Sequence, residues 1–232
     1  MTFSLRALAL GALSLGLAAC GTDSTDAPEP LAEAAEVNET TAEIPAGTYA
    51  IDASHSEIGF RARHFGISNV DGNFNDFSGT VTVPESGLAG MSATLTADVN
   101  SIDTDNEQRD GHLKSEQFFA ADQYPELTFQ TTSVTPTGGN RFEMAGDLTM
   151  RGQTHPVTLE GEYLGSAVVG ETQKIGFEAA GEIDRQQWGL SWQDTNDAGE
   201  LAVSDNIRLV ISVEADRQDD AAPEAGDAEA EA

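Results

Sequence analysis

The chain has 232 residues, a formal net charge of −29, and one cysteine among 40 acidic and 11 basic side chains. So anionic a surface argues against nucleic acid as a partner, and a lone cysteine excludes an internal disulfide or a multi-cysteine metal site.

Read from the N-terminus, Arg6 precedes a Leu-rich apolar stretch from Ala7 to Ala19. As a helix this stretch rises about 20 Å, short of a hydrocarbon core about 30 Å thick, so it reads as a cleavable leader and not as a permanent span. The run Leu17-Ala18-Ala19-Cys20-Gly21 resembles the lipobox of bacterial lipoprotein precursors. That resemblance implies a signal peptide over 1–19, acylation of Cys20 with chains such as palmitate, and a membrane-anchored protein of the cell envelope. Gly21, where an aspartate would favour inner-membrane retention in some bacteria, points to the outer membrane facing the periplasm.

Residues 20–46 are acidic and poor in large apolar side chains, as is 216–232, so both are expected to be disordered. Between them, residues 47–215 form one domain long enough for a full core, with 26 acidic and nine basic side chains. Membrane proximity is expected to come from the anchor, since such a surface avoids anionic headgroups.

Within the domain, apolar residues recur at every second position. Ile58, Phe60 and Ala62 alternate with polar neighbours, as do Val81 and Val83, then Leu95, Ala97 and Val99. Later runs at 127–134, 142–150, 156–164, 174–183 and 204–215 behave alike, separated by turns such as Gly138-Gly139. Seven to nine antiparallel strands in one domain predict a sandwich or a closed barrel. Residues 106–116 break the pattern and predict a short helix or ordered loop at one end.

Several blocks carry a family resemblance. They are His55-Ser56, Gly72-x-Phe74-x-x-Phe77-x-Gly79, Arg109-Asp110-Gly111-His112-Leu113-Lys114-Ser115, Gly146-Asp147-Leu148-Thr149-Met150-Arg151-Gly152 and Ile183-Asp184-Arg185 followed by Trp188-Gly189-Leu190. In order and spacing they resemble the YceI-like family of exported lipid- and polyisoprenoid-binding proteins. The resemblance implies an all-β fold, an extended lipocalin-like antiparallel barrel of about eight strands with a short helical insertion. It further implies a bound polyisoprenoid, quinone-like or fatty-acyl chain as the long-chain apolar partner, with no other cofactor, and leaves a homodimer open.

The candidate tunnel residues are Phe60, Phe65, Phe74, Phe77, Phe118, Phe119, Phe129, Phe142, Phe177, Trp188 and Trp192, each of which packing alone would also explain. Arg109, Asp110 and His112 are candidates for the polar mouth. They could pin a loop over the barrel end, contact a headgroup or quinone carbonyl, or, for His112 and Asp110, act as an acid–base pair. His55, His64, His112 and His155 form no close metal-binding motif, and the Asp103–Glu107 run departs from a calcium loop at Gln108 and Lys114. No nucleophile elbow or phosphate-binding loop is present in the domain, and a non-catalytic carrier is what the resemblance implies. A lipid-modifying hydrolase or isomerase using His112 and Asp110 is one alternative; a ligand-free, fully packed envelope scaffold or stress protein is another.

Overall fold

The structure, a computed structural model, describes residues 43–218. The leader, Cys20, most of the acidic linker and the tail beyond Gln218 lie outside the described residues.

The strands are β1 (Gly47–Ile51), β2 (Glu57–His64), β3 (Ser68–Phe74), β4 (Phe77–Val83), β5 (Ser92–Asp98), β6 (Ile102–Asp103), β7 (Glu126–Gly138), β8 (Arg141–Met150), β9 (Gln153–Val169), β10 (Thr172–Asp184) and β11 (Val203–Arg217), with helix α1 (Glu107–Lys114) between β6 and β7. Eight of them close an antiparallel ring in the order β1, β4, β5, β7, β8, β9, β10, β11 and back to β1. Closure removes the exposed edges that an open sheet of this size would leave. The expected eight-stranded barrel with one short helix is therefore what the chain forms.

The remaining three strands are continuations. Along β11, residues 215–217 pair with β1 and residues 203–212 with β2, so β1 and β2 are two halves of one broken strand. β3 pairs with β2 while β4 pairs with β1, and β6 pairs with β3 while β5 pairs with β4. Single turns of 3-10 helix make two of these breaks. Asp52 accepts the Ser54 amide at the first and Asp98 accepts the Asn100 amide at the second, satisfying donors that the interrupted ladder leaves unpaired. β6 pairs only with β3, and α1 follows it, started by Asn106, whose side chain accepts the Arg109 amide at 3.0 Å.

Inward and outward positions alternate cleanly along β8, where Phe142, Met144, Leu148 and Met150 are buried between exposed Arg141, Glu143 and Asp147. The barrel end nearest residues 43 and 218 is packed solid by Tyr49, Val83, Leu88, Ile175 and Ala215, all at most 2% exposed. Ile44 is buried there, and the Tyr49 hydroxyl donates to the Pro45 carbonyl at 2.8 Å. β11 runs to Arg217, and the Gln218 amide donates to Thr48. The folded region thus begins before residue 47 and continues past 215.

Candidate functional site

The barrel is not filled by its own side chains. A cavity of about 360 Å³ runs between the inner faces of the sheet, within the range of pockets that hold small organic ligands. Its wall follows β8 from Phe142 to Met150, about 27 Å of chain at roughly 3.3 Å per residue. The lining side chains are aliphatic and aromatic almost throughout. This removes the premise of a ligand-free scaffold with a packed interior.

Glycines opposite the large rings keep the space open. Phe60 faces Gly72 across the β2–β3 pair and Phe142 faces Gly161 across β8–β9. Each ring lies over its glycine: a Cβ at residue 72 would stand 2.6 Å from Cζ of Phe60, and one at 161 would meet the Phe142 ring. Phe129 covers Gly146 in the same way. Aromatic side chains can therefore lie along the wall and leave the axis free.

Eight of the eleven aromatic candidates border the cavity: Phe60, Phe74, Phe118, Phe119, Phe129, Phe142, Phe177 and Trp192. Phe65, Phe77 and Trp188 do not. Phe65 sits on the β2–β3 turn against His64, beyond the end of the barrel, with a left-handed φ of 47°. Phe77 is buried beside the β3–β4 break and borders a separate polar recess with Asp98 and Glu126. Trp188 donates its indole N–H to the Leu148 carbonyl at 3.0 Å and packs edge-on against His155, anchoring the chain outside the cavity. Aliphatic lining that the aromatic selection left out includes Leu95, Leu127, Leu159, Ile207, Leu209 and Ile211.

The mouth lies where α1 and the segment leading into β11 meet the β2–β3 hairpin, and there Arg63 and His64 are exposed lining residues. His112, on α1, is held edge-on by Phe118 and Trp192, with ring centroids 5.2 and 4.8 Å away, and its Nε2 lies 2.8 Å from Oε1 of Gln117. Arg109 and Asp110 meet on buried Thr104 and form no ion pair with each other. The Arg109 Nε donates to the Thr104 hydroxyl at 2.7 Å and its Nη2 to the Thr104 carbonyl. Asp110 Oδ1 accepts from the Thr104 amide and hydroxyl. This is the loop-pinning arrangement, and it takes Asp110 out of the cavity wall. His112 and Asp110 share no hydrogen bond among the described residues, so the geometry gives no acid–base pair.

A second anchor sits below the mouth. Arg185, 3% exposed, donates to the carbonyls of Leu190, Trp192 and Ser204 and to Asp205, with its guanidinium 5.9 Å from the centre of the Phe118 ring. Burial lowers its pKa from the usual arginine value, with the Asp205 charge opposing. Arg151 likewise donates to the Gly189 and Glu116 carbonyls. Backbone oxygens are the main partners of these two cations, because irregular chain over a barrel end leaves carbonyls to satisfy.

The one cluster of potential metal ligands among the described residues is Asp52, His55 and Glu214, at the β1–β2 break. Lys174 already lies 3.5 Å from Asp52, 2.8 Å from Glu214 and 2.5 Å from Asp216, so an ammonium occupies the position between the carboxylates. Hydrogen bonds from Ser54 and His55 hold the Asp52 carboxyl well below the usual carboxylate range, and the Asp52 contact raises the His55 pKa. Asp216 and Glu214 likewise raise that of Lys174. Ser54 Oγ and Asp52 both approach Nδ1 of His55, at 3.1 and 2.8 Å. A nucleophilic triad needs the two partners on different ring nitrogens, so this group is a brace.

A closed antiparallel barrel around an elongated apolar cavity defines a lipocalin-like hydrophobic-ligand-binding class. Residues 49–215 match the model of the YceI-like domain, and the chain belongs to that family. It is 36% identical over 185 residues to Protein YceI of Salmonella arizonae, covering 77% of this chain and 92% of that protein. Among solved structures it is similar to the Campylobacter jejuni YceI protein, with 31% identity, a TM-score of 0.59 and coverage of 68% and 90%. Burkholderia cenocepacia BcnA aligns at 25% identity and a TM-score of 0.61, covering 71% of this chain and 98% of that one. A polyisoprenoid-binding domain from Saccharophagus degradans, implicated in plant cell wall breakdown, shares the fold at 16% identity and a TM-score of 0.54, covering 73% and 98%.

Proposed function

We propose that this protein binds one long apolar lipid, an isoprenoid, quinone-like or fatty-acyl chain, and sequesters or carries it in the cell envelope without chemically altering it. The observation that carries this reading is the cavity of about 360 Å³ with aliphatic and aromatic walls. Each methylene taken from water contributes about 0.8 kcal/mol, so a dozen carbons supply a large driving force before the cost of association is subtracted. Family membership and the polyisoprenoid-binding structural neighbour support the same class of ligand. Acylation at Cys20 would hold the barrel at the outer membrane, facing the periplasm, with the acidic linker letting its mouth reach the bilayer.

Titrating the delipidated chain with a fluorescent long-chain probe tests the binding step. Saturable one-to-one binding that is lost in folded Phe129→Arg supports it; absence of saturable binding to the unsubstituted protein contradicts it. The anchoring step predicts that Cys20→Ala, with secretion intact, leaves affinity unchanged and slows lipid transfer at the membrane. Equal transfer reduces Cys20 to an address.

A further inference from the structure

The formally charged side chains that border the cavity are all arginines, joined by two histidines. Residues 47–215 carry 26 acidic and nine basic side chains, so an even draw would place about three acids beside each base. Among the described residues, the lining includes Arg63, His64, Arg109, His112 and Arg185, and no aspartate, glutamate or lysine.

These bases are not equivalent. Arg185 is saturated by backbone carbonyls and Asp205 and has no free role toward a ligand. Arg63 alternates with Ala62 and so belongs to the outer face of β2, at the rim. Arg109 differs from both. Its guanidinium bonds the hydroxyl and carbonyl of Thr104 and forms no ion pair with a carboxylate among the described residues. Its Nη1 has no protein partner among the described residues, and the side chain is half-buried at the mouth. Its direct partners are neutral oxygens and the Asp110 carboxylate reaches it only through the shared Thr104 hydroxyl, so Nη1 is left as the open position for an anion. Asp110 is one residue away, yet its bonded oxygen is turned onto Thr104, and it does not border the cavity.

We propose that the cavity selects lipids whose single polar end is anionic, a carboxylate or a phosphate, and that Arg109 receives that end, with His64 and His112 beside it. This rests on the lipid-binding reading above and adds the chemistry of the headgroup. A charge-assisted bond to guanidinium is about twice as strong as a neutral one, and the neighbouring low-dielectric wall strengthens it further. An ammonium headgroup would meet no carboxylate on the lining.

Four amphiphiles of one chain length separate the possibilities: hexadecanoate, hexadecyl phosphate, hexadecanol and hexadecylamine, titrated against the delipidated full-length chain by calorimetry. The two anions are expected to bind roughly tenfold or more tighter than the alcohol, about 1.4 kcal/mol per decade, with the amine weakest. The stronger anion identifies the headgroup source. In Arg109→Gln the preference for anions should collapse, and in Arg109→Lys, which keeps the charge, it should persist. If all four bind alike, or the amine binds best, the headgroup proposal is overturned while the lipid-binding reading stands. If none binds, the lipid-binding reading itself fails. A preference that survives in folded Arg109→Gln combined with His64→Gln overturns the assignment to these residues.

Discussion

Replacing Gly72 by alanine tests whether rings lying flat on glycines hold the cavity open. The added methyl would stand 2.6 Å from Cζ and 2.9 Å from Cε1 of Phe60, and 2.7 Å from the Thr104 methyl. Carbon atoms pack at about 3.5–4.0 Å, so a neighbour must retreat by about 1 Å. Thr104 is fixed by Arg109 and Asp110 through four hydrogen bonds. Phe60, half-buried on the cavity wall, is the side that yields, and it yields into the lumen. Overpacking of this kind costs roughly 1–3 kcal/mol, offset by about 0.4–1 kcal/mol from the stiffer unfolded chain, leaving a loss on the order of 1 kcal/mol. Urea denaturation should show a lower midpoint at unchanged slope, and probe titration should show weaker binding of long-chain ligands. Adding Phe60→Leu should restore both, giving a non-additive double-mutant cycle. Strictly additive costs together with unchanged affinity would refute the reasoning.

Other expected outcomes concern the anchors. Arg185→Met strands the buried or half-buried carbonyls of Leu190, Trp192 and Ser204, so it should cost roughly 3–5 kcal/mol and speed proteolysis within residues 189–202; a stability loss under about 1 kcal/mol counts against the anchor. At the outer brace, the raised His55 pKa contributes stability that is complete below its unfolded value of about 6.5 and is lost as pH rises through the folded value. The lowered Asp52 pKa contributes above its ordinary value of about 3.9 and loses its effect as pH falls through the folded value. His55→Asn should therefore lower the denaturation midpoint most near about pH 5 and least above about pH 8. The effect should be small, since the His55 side chain is 63% exposed. A gap that widens with rising pH contradicts the sign.

Much of the barrel was legible because its half-wet strands impose a period of two, as in Phe142 to Met150 and Lys174 to Ile183. β3 was not, since Ser68-Asn69-Val70-Asp71-Gly72-Asn73-Phe74 carries glycine at an inward position that the Phe60 ring covers from the neighbouring strand. Nor was the pairing of β1 with β2, β3 with β4 and β5 with β6 as broken halves. An aspartate capping a single turn gains that meaning only when the flanking strands meet one partner, as β1 and β2 meet β11, or the two halves of a broken one, as β5 and β6 meet β4 and β3. In the site, an aromatic ring's size drew attention that the alternation itself would have directed to Leu127, Leu209 and Ile211 as well. Phe65 and Trp188 share the composition of lining residues, and only the hairpin tip and the indole bond to Leu148 separate them from the cavity. Arg109 and Asp110 stand side by side in the sequence, but their meeting point, Thr104, carries no signal until the loop folds back onto α1.

The central claim is that the barrel holds a lipid. Native mass spectrometry of gently purified protein, followed by organic extraction and lipid analysis, tests it most directly. One apolar molecule per chain is expected, released on denaturation and absent after delipidation. Repeated recovery of the bare polypeptide mass, with no extractable lipid and no uptake on reloading, would contradict it.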